Sequence, residues 1–290
     1  MDCKSELAIP QRCSTAPSHE GAVVRGSQCP SNRTVRRARR VMNYVVVATL
    51  LLSTFDSSAE ADQYKVVTEE WAPFNYVENN YLTGMATEIV QAIMFLTGDD
   101  FEIVMLPSMR ATHALQARPR TIMYSLFRTA ERESLYKWVG PISEESIYPY
   151  QLANARNQVN TLDQLLHAPI TTLHAGLIPE VLEPMGFKHL DKVAVKTEQL
   201  YRMLLAERTG IIIGDTDAGV SHYSRQLNVA PDALRKVPIE IYRSSLYIAF
   251  SRDCDDALVA AWSSALEQLR QSGELERIRY RYIQVKSPTG

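Results

Sequence analysis

Residues 65–76 read Lys65-Val66-Val67-Thr68-Glu69-Glu70-Trp71-Ala72-Pro73-Phe74-Asn75-Tyr76. The β-branched start opens a strand, and an aromatic and proline cluster follows at once. Beyond Leu82-Thr83-Gly84, residues 87–96 place Ile89, Ile93 and Leu96 on one face at helical spacing, with Gly98 as the stop. Strand, loop and helix in that order is the unit of an α/β fold. In open α/β sheets, ligands bind just outside the carboxyl ends of the strands, so Trp71 is expected to wall a binding crevice. Spacing alone leaves equal room for Trp71 and Phe74 to plug the loop into the core.

Outward from this stretch the alternation continues. Residues 101–106 read as a strand, 111–117 as a short helix, 121–126 as a third strand and 147–153 as strand-like. After the polar, aperiodic residues 154–160, Thr161 caps a helix that leads to a strand at 170–173. Leu200, Met203 and Leu204 then mark a helix over 198–207, and Gly210 precedes a strand at 211–213. A strand at 246–250 precedes a terminal helix from about Asp255, with Leu258, Trp262, Leu266 and Leu269 on one face and Gly273 at its end. Two crossings near Tyr150 and Arg243 make the first unit discontinuous. The expected organisation is a first lobe of residues 62–150 and 244–290 and a second of 151–243, each a mixed sheet with flanking helices, joined by a two-stranded hinge.

The chain of 290 residues, 46% hydrophobic, is long enough for a substantial core. Its 31 basic and 33 acidic side chains give a formal charge of -2, without the broad positive surface that a phosphate backbone requires, so nucleic acid is not an expected partner. The basic residues are unevenly placed: Arg33, Arg36, Arg37, Arg39 and Arg40 stand just before the apolar run 44–55, and Ala59-Glu60-Ala61 follows. That order describes a secretory leader cut before Asp62, with an uncleaved membrane anchor as the alternative. Residues 1–32 fit no part of a leader and read as an over-extended start. Cys3, Cys13 and Cys29 precede the cut, leaving Cys254 alone and the mature chain without an internal disulfide. Asp253 and Asp255 beside Cys254 are expected to raise its pKa, which disfavours it as a nucleophile.

Enzyme signatures are scarce. There is no His-Glu-x-x-His, no Gly-rich phosphate loop, and Gly219-Val220-Ser221 lacks the closing glycine of a nucleophile elbow. His113, His167, His174, His189 and His222 lack metal-ligand spacing, and neither metal nor cofactor is expected. A second informative cluster is Ser125-Leu126-Phe127-Arg128-Thr129-Ala130-Glu131-Arg132-Glu133, which runs on to Tyr136-Lys137-Trp138-Val139-Gly140-Pro141. An arginine fork suits bidentate binding of a carboxylate. The same pattern also fits a solvated helix start in which Arg128 pairs with Glu131.

Taken in order, the strand with Trp71-Ala72-Pro73-Phe74, Leu82-Thr83-Gly84, the Arg128-to-Glu133 cluster with Trp138-Val139-Gly140-Pro141, Gly214-Asp215 and the Ser272-Gly273-Glu274-Leu275 ending resemble family 3 of the bacterial extracellular solute-binding proteins. These are periplasmic receptors of polar amino acid ABC importers. The resemblance covers residues 62–283. It implies a two-lobed periplasmic-binding-protein fold of type II, a monomer in the periplasm, a small polar solute in the cleft and an inner-membrane ABC permease as partner. Carried over residue by residue, it implies that Arg132 clamps a ligand carboxylate, Trp71 stacks on the ligand and Asp215 receives an α-ammonium. It also implies that the loop at Ala175-Gly176 offers backbone amides and that Ser125 makes a backbone contact. The sequence departs from the family pattern at Gly84-Met85-Ala86-Thr87-Glu88, at Phe127 in place of a small hydroxyl residue, and at His174-Ala175-Gly176-Leu177, which points to a divergent branch. The rival from another class is a periplasmic lyase or dehydratase using Glu70, Arg132 and Asp215. A sensory input module is the third reading, disfavoured by the short stretch after the terminal helix.

Overall fold

The computed structural model describes residues 63–230 and 232–283; the expected leader and cleavage site and the first three cysteines lie outside them. Strand β1 (Lys65–Thr68) is followed by a hairpin of β2 (Tyr76–Glu78) and β3 (Tyr81–Thr83). The hairpin turn is Asn79-Asn80, both at positive φ, the two-residue connection whose twist matches that of the strands. Helix α1 (Met85–Thr97) buries Ile89, Val90, Ile93 and Met94 and ends at Gly98 in the left-handed conformation. Gly84, at φ 118°, precedes it, and a Cβ there would lie 2.4 Å from the Phe74 carbonyl oxygen. Only glycine lets the loop 71–75 fold back this closely, and the amides of Met85 and Ala86 then donate to the carbonyls of Pro73 and Phe74 at 2.9 and 2.8 Å. The loop carrying Trp71 is thereby fixed to the start of a helix.

Strand β4 (Ile103–Met105), helix α2 (Ser108–Ala117), strand β5 (Thr121–Phe127), the single turn α3 (Ala130–Glu133) and strand β6 (Tyr136–Ile147) complete the first run. The chain then builds β7 (Tyr150–Leu152), α4 (Leu162–His167), β8 (Pro169–Leu173), α5 (Leu177–Leu182), β9 (His189–Ala194), α6 (Thr197–Leu205), β10 (Ile211–Ile212), α7 (Asp217–Gln226) and β11 (Leu234–Lys236). It closes with β12 (Tyr242–Ser251), α8 (Asp256–Gln271) and α9 (Glu274–Ile283).

The strands form two mixed sheets of five, ordered β4-β1-β5-β12-β6 and β11-β7-β10-β8-β9. In the first, β1 runs parallel to β4 and β5, while β12 is antiparallel to β5 and β6. In the second, β8 runs parallel to β9 and β10, and β7 is antiparallel to β10 and β11. Sheet membership changes between Ile147 and Tyr150 and again between Lys236 and Tyr242. The two crossing segments lie side by side, with the amides of Val237 and Ile241 donating to the carbonyls of Pro149 and Ile147, each at 2.9 Å. This is the α/β architecture of two mixed sheets and a paired hinge that the sequence implies. The strand read over 147–153 is instead the end of β6 and the whole of β7.

Each sheet is covered on both faces. Trp262 of α8 is fully buried with α1, packs edge-on to Phe250 at 5.3 Å between ring centres and donates to Asp99 at 2.7 Å; truncating it to alanine would cost about 3–5 kcal/mol. In the second sheet Ile211 and Ile213 enter one core, while Ile212 faces the other with Leu200, Tyr201 and Tyr223, the two-residue period of a strand.

One irregularity shapes the site. On β5, Ile122, Tyr124 and Phe127 share one face, and Met123 and Leu126 share the other. The alternation slips because Ser125 has φ 63° and β5 carries one residue more than β12 between the pairs Met123–Ala249 and Leu126–Tyr247. This β-bulge swings the end of the strand, and bulges recur beside functional sites because they re-aim side chains.

Candidate functional site

A cavity of about 450 Å³ lies where the carboxyl ends of β1, β4 and β5 face those of β8 and β10. The first sheet contributes Glu69, Glu70 and Trp71 from the loop after β1, Ser108 and Thr112 of α2, Ser125 and Phe127 of β5, and Arg132 of α3. The second contributes Leu173 at the end of β8 and Ala175, Gly176 and Gly214 from the loops after β8 and β10. Crevices beyond the carboxyl ends of parallel strands are the expected ligand positions in such sheets.

Of the five residues singled out from the sequence, Trp71, Ser125, Arg132 and Gly176 line this cavity. Trp71 is half-buried, its ring 4.6 Å from Phe74 and 5.6 Å from Phe127, so it serves as cavity wall and packs on the core together. Ser125 is buried and its hydroxyl hydrogen-bonds the Asn75 side chain, tying the β5 bulge to the Trp71 loop. Gly176 has φ 110° ahead of α5, and with no side chain and open space where a Cβ would stand it leaves its backbone bare on the opposite wall.

Arg132 donates to the Phe127 carbonyl at 3.3 Å, and it forms no ion pair among the described residues. The partner that would compete for a nearby arginine is already taken. Arg128 does not pair with Glu131 as the sequence allowed; it grips Glu133 and lies over the rings of Tyr247 and Trp138 at 5.2 and 5.7 Å. The fork of Arg132 is left for the cavity.

Asp215 sits differently from the others. It is 4% exposed and outside the cavity lining. Its Oδ1 accepts from the Trp71 indole at 3.3 Å and the Thr216 amide at 2.8 Å, and its Oδ2 accepts from the Tyr201 hydroxyl at 2.8 Å. The carboxylate is bent into the first turn of α7, where Gly219 makes room: a Cβ at 219 would lie 1.9 Å from Oδ1. Burial pushes its pKa up to about 7, outweighing the three donors. The bond from Trp71 joins a loop of the first sheet to a loop of the second, and Lys196 with Glu70, 3.5 Å apart, bridges the same gap.

Glu69 was not singled out in the sequence. It follows β1 directly and lines the cavity with Ser108 and Arg132. Burial raises its pKa, opposed by the Ser108 hydroxyl and then by the charge of Arg132. The available signal was a carboxylate one position beyond the end of a central strand. Cys254 is buried at the far end of β12, and burial, more than its neighbouring aspartates, raises its pKa. Among the described residues no group of His, Cys, Asp or Glu is placed to hold a metal, and no helix is long and apolar enough to cross a membrane.

Comparison with known proteins bears on this geometry. The family model of bacterial extracellular solute-binding proteins, family 3, matches residues 64–285. A comparison with curated protein sequences finds no match. Among solved structures, a histidine kinase sensor domain with similarity to periplasmic binding proteins is similar at TM-score 0.68 and 18% identity, over 79% of this chain and 100% of that one. The arginine-, lysine-, histidine-binding protein ArtJ of Geobacillus stearothermophilus is similar at TM-score 0.65 and 20% identity, over 78% and 97%. The GluR0 ligand-binding core of Nostoc punctiforme, in complex with (L)-glutamate, is similar at 0.64 and 16%, over 76% and 98%. At these identities the likeness is one of fold.

Proposed function

The chain belongs to family 3 of the bacterial extracellular solute-binding proteins, and from that premise we propose that it binds a small polar solute carrying a carboxylate between two lobes and delivers it to an inner-membrane ABC importer. The observation that carries this reading is Arg132. It is a cavity-lining guanidinium without an ion-pair partner among the described residues, in a recess where a carboxylate would be desolvated. Trp71 covers the body of the solute, and the backbone at Ser125 and Gly176 contacts its anionic end.

The change of sheet membership supports assigning residues 62–150 and 244–290 to one lobe and 151–243 to the other. The two paired crossings supply a hinge, and ligand favours the closed state by touching both lobes. The leader-like sequence and the family support secretion to the periplasm, where the protein is proposed to act as a monomer. The likeness to solved structures includes both transport and sensory proteins, and a shared fold serves either. The lyase or dehydratase reading needs Glu70, Arg132 and Asp215 around one substrate. Asp215 lies outside the cavity, and Glu70 is largely exposed and paired with Lys196, so the binding reading is favoured.

The test is native mass spectrometry of the protein released from a bacterial periplasm. A single small molecule bound one to one, recovered at unchanged mass after incubation, is expected. Conversion of that molecule by the purified protein would move it to the enzyme class.

A further inference from the structure

The carboxylates around the cavity differ in how free they are. Glu70 is held by Lys196 and its side chain is 54% exposed. Glu180 is exposed on α5. Asp215 already accepts from three donors and lies outside the cavity lining, so a ligand cation would have to compete with those donors for it. Glu69 is partly buried, faces the cavity, and makes no ion pair among the described residues. A recessed carboxylate near a recessed guanidinium, not bonded to it, offers one wall of opposite charges to a molecule carrying both signs.

We infer that Glu69, rather than Asp215, receives the positively charged group of the solute, so that the first lobe alone reads both ends of a dipolar ligand. This rests on the proposed binding function and assigns the residue of the site that reads the ligand's cationic group. Asp215 has another task, as the acceptor that ties the Trp71 loop to the second sheet. Glu69 sets the preference for a cationic group, and Asp215 contributes equally to every ligand that the closed cleft retains.

Calorimetric titration of the mature chain separates the two roles. The probes are L-arginine, L-glutamine and γ-aminobutyrate, each set against an amine-free counterpart of similar length that carries no cation: valerate, glutaramate and butyrate respectively. Wild type is expected to prefer the best dipolar probe over its counterpart by tenfold or more. Glu69→Gln should bring that ratio to within about threefold of unity, a loss of at least ~0.7 kcal/mol of discrimination. Asp215→Asn should weaken both members of the pair by a similar factor and keep the ratio. Glu69→Asp, which keeps the charge, should keep the preference and guards against a folding defect in Glu69→Gln, with thermal melts run on each variant. Loss of the ratio in Asp215→Asn with retention in Glu69→Gln, or tighter binding of the amine-free members by wild type, overturns this inference and leaves the binding function standing. Failure of wild type to bind any probe counts against both.

Discussion

Replacing Gly219 by alanine tests whether the Asp215 carboxylate is where the account needs it. The new Cβ would lie 1.9 and 2.2 Å from the two carboxylate oxygens, so the carboxylate must leave its place. With it go the acceptors of the Trp71 indole at 3.3 Å, the Tyr201 hydroxyl at 2.8 Å and the Thr216 amide at 2.8 Å. A hydrogen bond to a charged group contributes about 1.5–3 kcal/mol, and the long indole contact belongs at or below the lower end. Alanine returns up to about 1 kcal/mol of helix propensity in α7. The net expectation is a loss of about 2–5 kcal/mol, which at about 2–4 °C per kcal/mol lowers the melting temperature by roughly 5–15 °C. The same change made in an Asp215→Ala background meets no carboxylate and should stabilise the protein, by up to about 1 kcal/mol. Urea unfolding of the four proteins of this cycle gives the coupling directly. A neutral or stabilising Gly219→Ala in the wild-type background would refute the placement of Asp215 and the loop-to-loop contact built on it.

Two further outcomes follow from the same geometry. Ligand-induced change in tryptophan fluorescence should come mainly from Trp71 in the cavity wall, since Trp262 is fully buried and Trp138 packs against Tyr136 and Tyr247 away from the cavity; full retention of the signal in Trp71→Phe would disprove this. Asp215 and Glu145 are both raised to about 7 by burial, from 3.8 and 4.5. The folded state therefore keeps these protons after the unfolded chain has lost them, so their stabilisation is present at low pH and is lost as pH rises toward about 7, by at most ~1.4 kcal/mol per pH unit for each group. Unfolding free energies measured from pH 5 to 8 should show a shallower decline in Asp215→Asn than in wild type, and identical slopes would contradict the assignment.

The sequence shows elements where local chemistry and burial agree. Thr161 forms the expected cap, completed by Gln164 as a capping box, and α1 stops at Gly98 where its apolar stripe ends. Elements whose burial is set by tertiary neighbours stayed hidden. Helix α7 buries only Gly219, Val220 and Tyr223, and β9 is an edge strand with one buried residue, so neither has a readable period. Strand β6 carries Gly140 and Pro141 within it, two residues that interrupt a strand pattern; proline is tolerated because β6 is also at an edge. The same division holds at the site. Trp71, Ser125, Arg132 and Gly176 reach the cavity because each lies at or beyond the carboxyl end of a strand, and that position is local information. Asp215 shares the position, yet a missing Cβ four residues later turns its carboxylate inward, and Glu69 takes the wall instead. Nothing in the spacing of 69, 215 and 219 announces this.

The central claim is that Arg132 holds the anionic end of a solute between the lobes, and calorimetry of Arg132→Ala against the tightest-binding carboxylate of the panel tests it most directly. Removing one partner of a desolvated, charge-assisted contact should cost about 2–5 kcal/mol, a fall in affinity of some tens to thousands of fold. Arg132→Lys should restore little, because an ammonium lacks the planar fork. Unchanged affinity in an Arg132→Ala variant that melts as a folded protein would contradict the account.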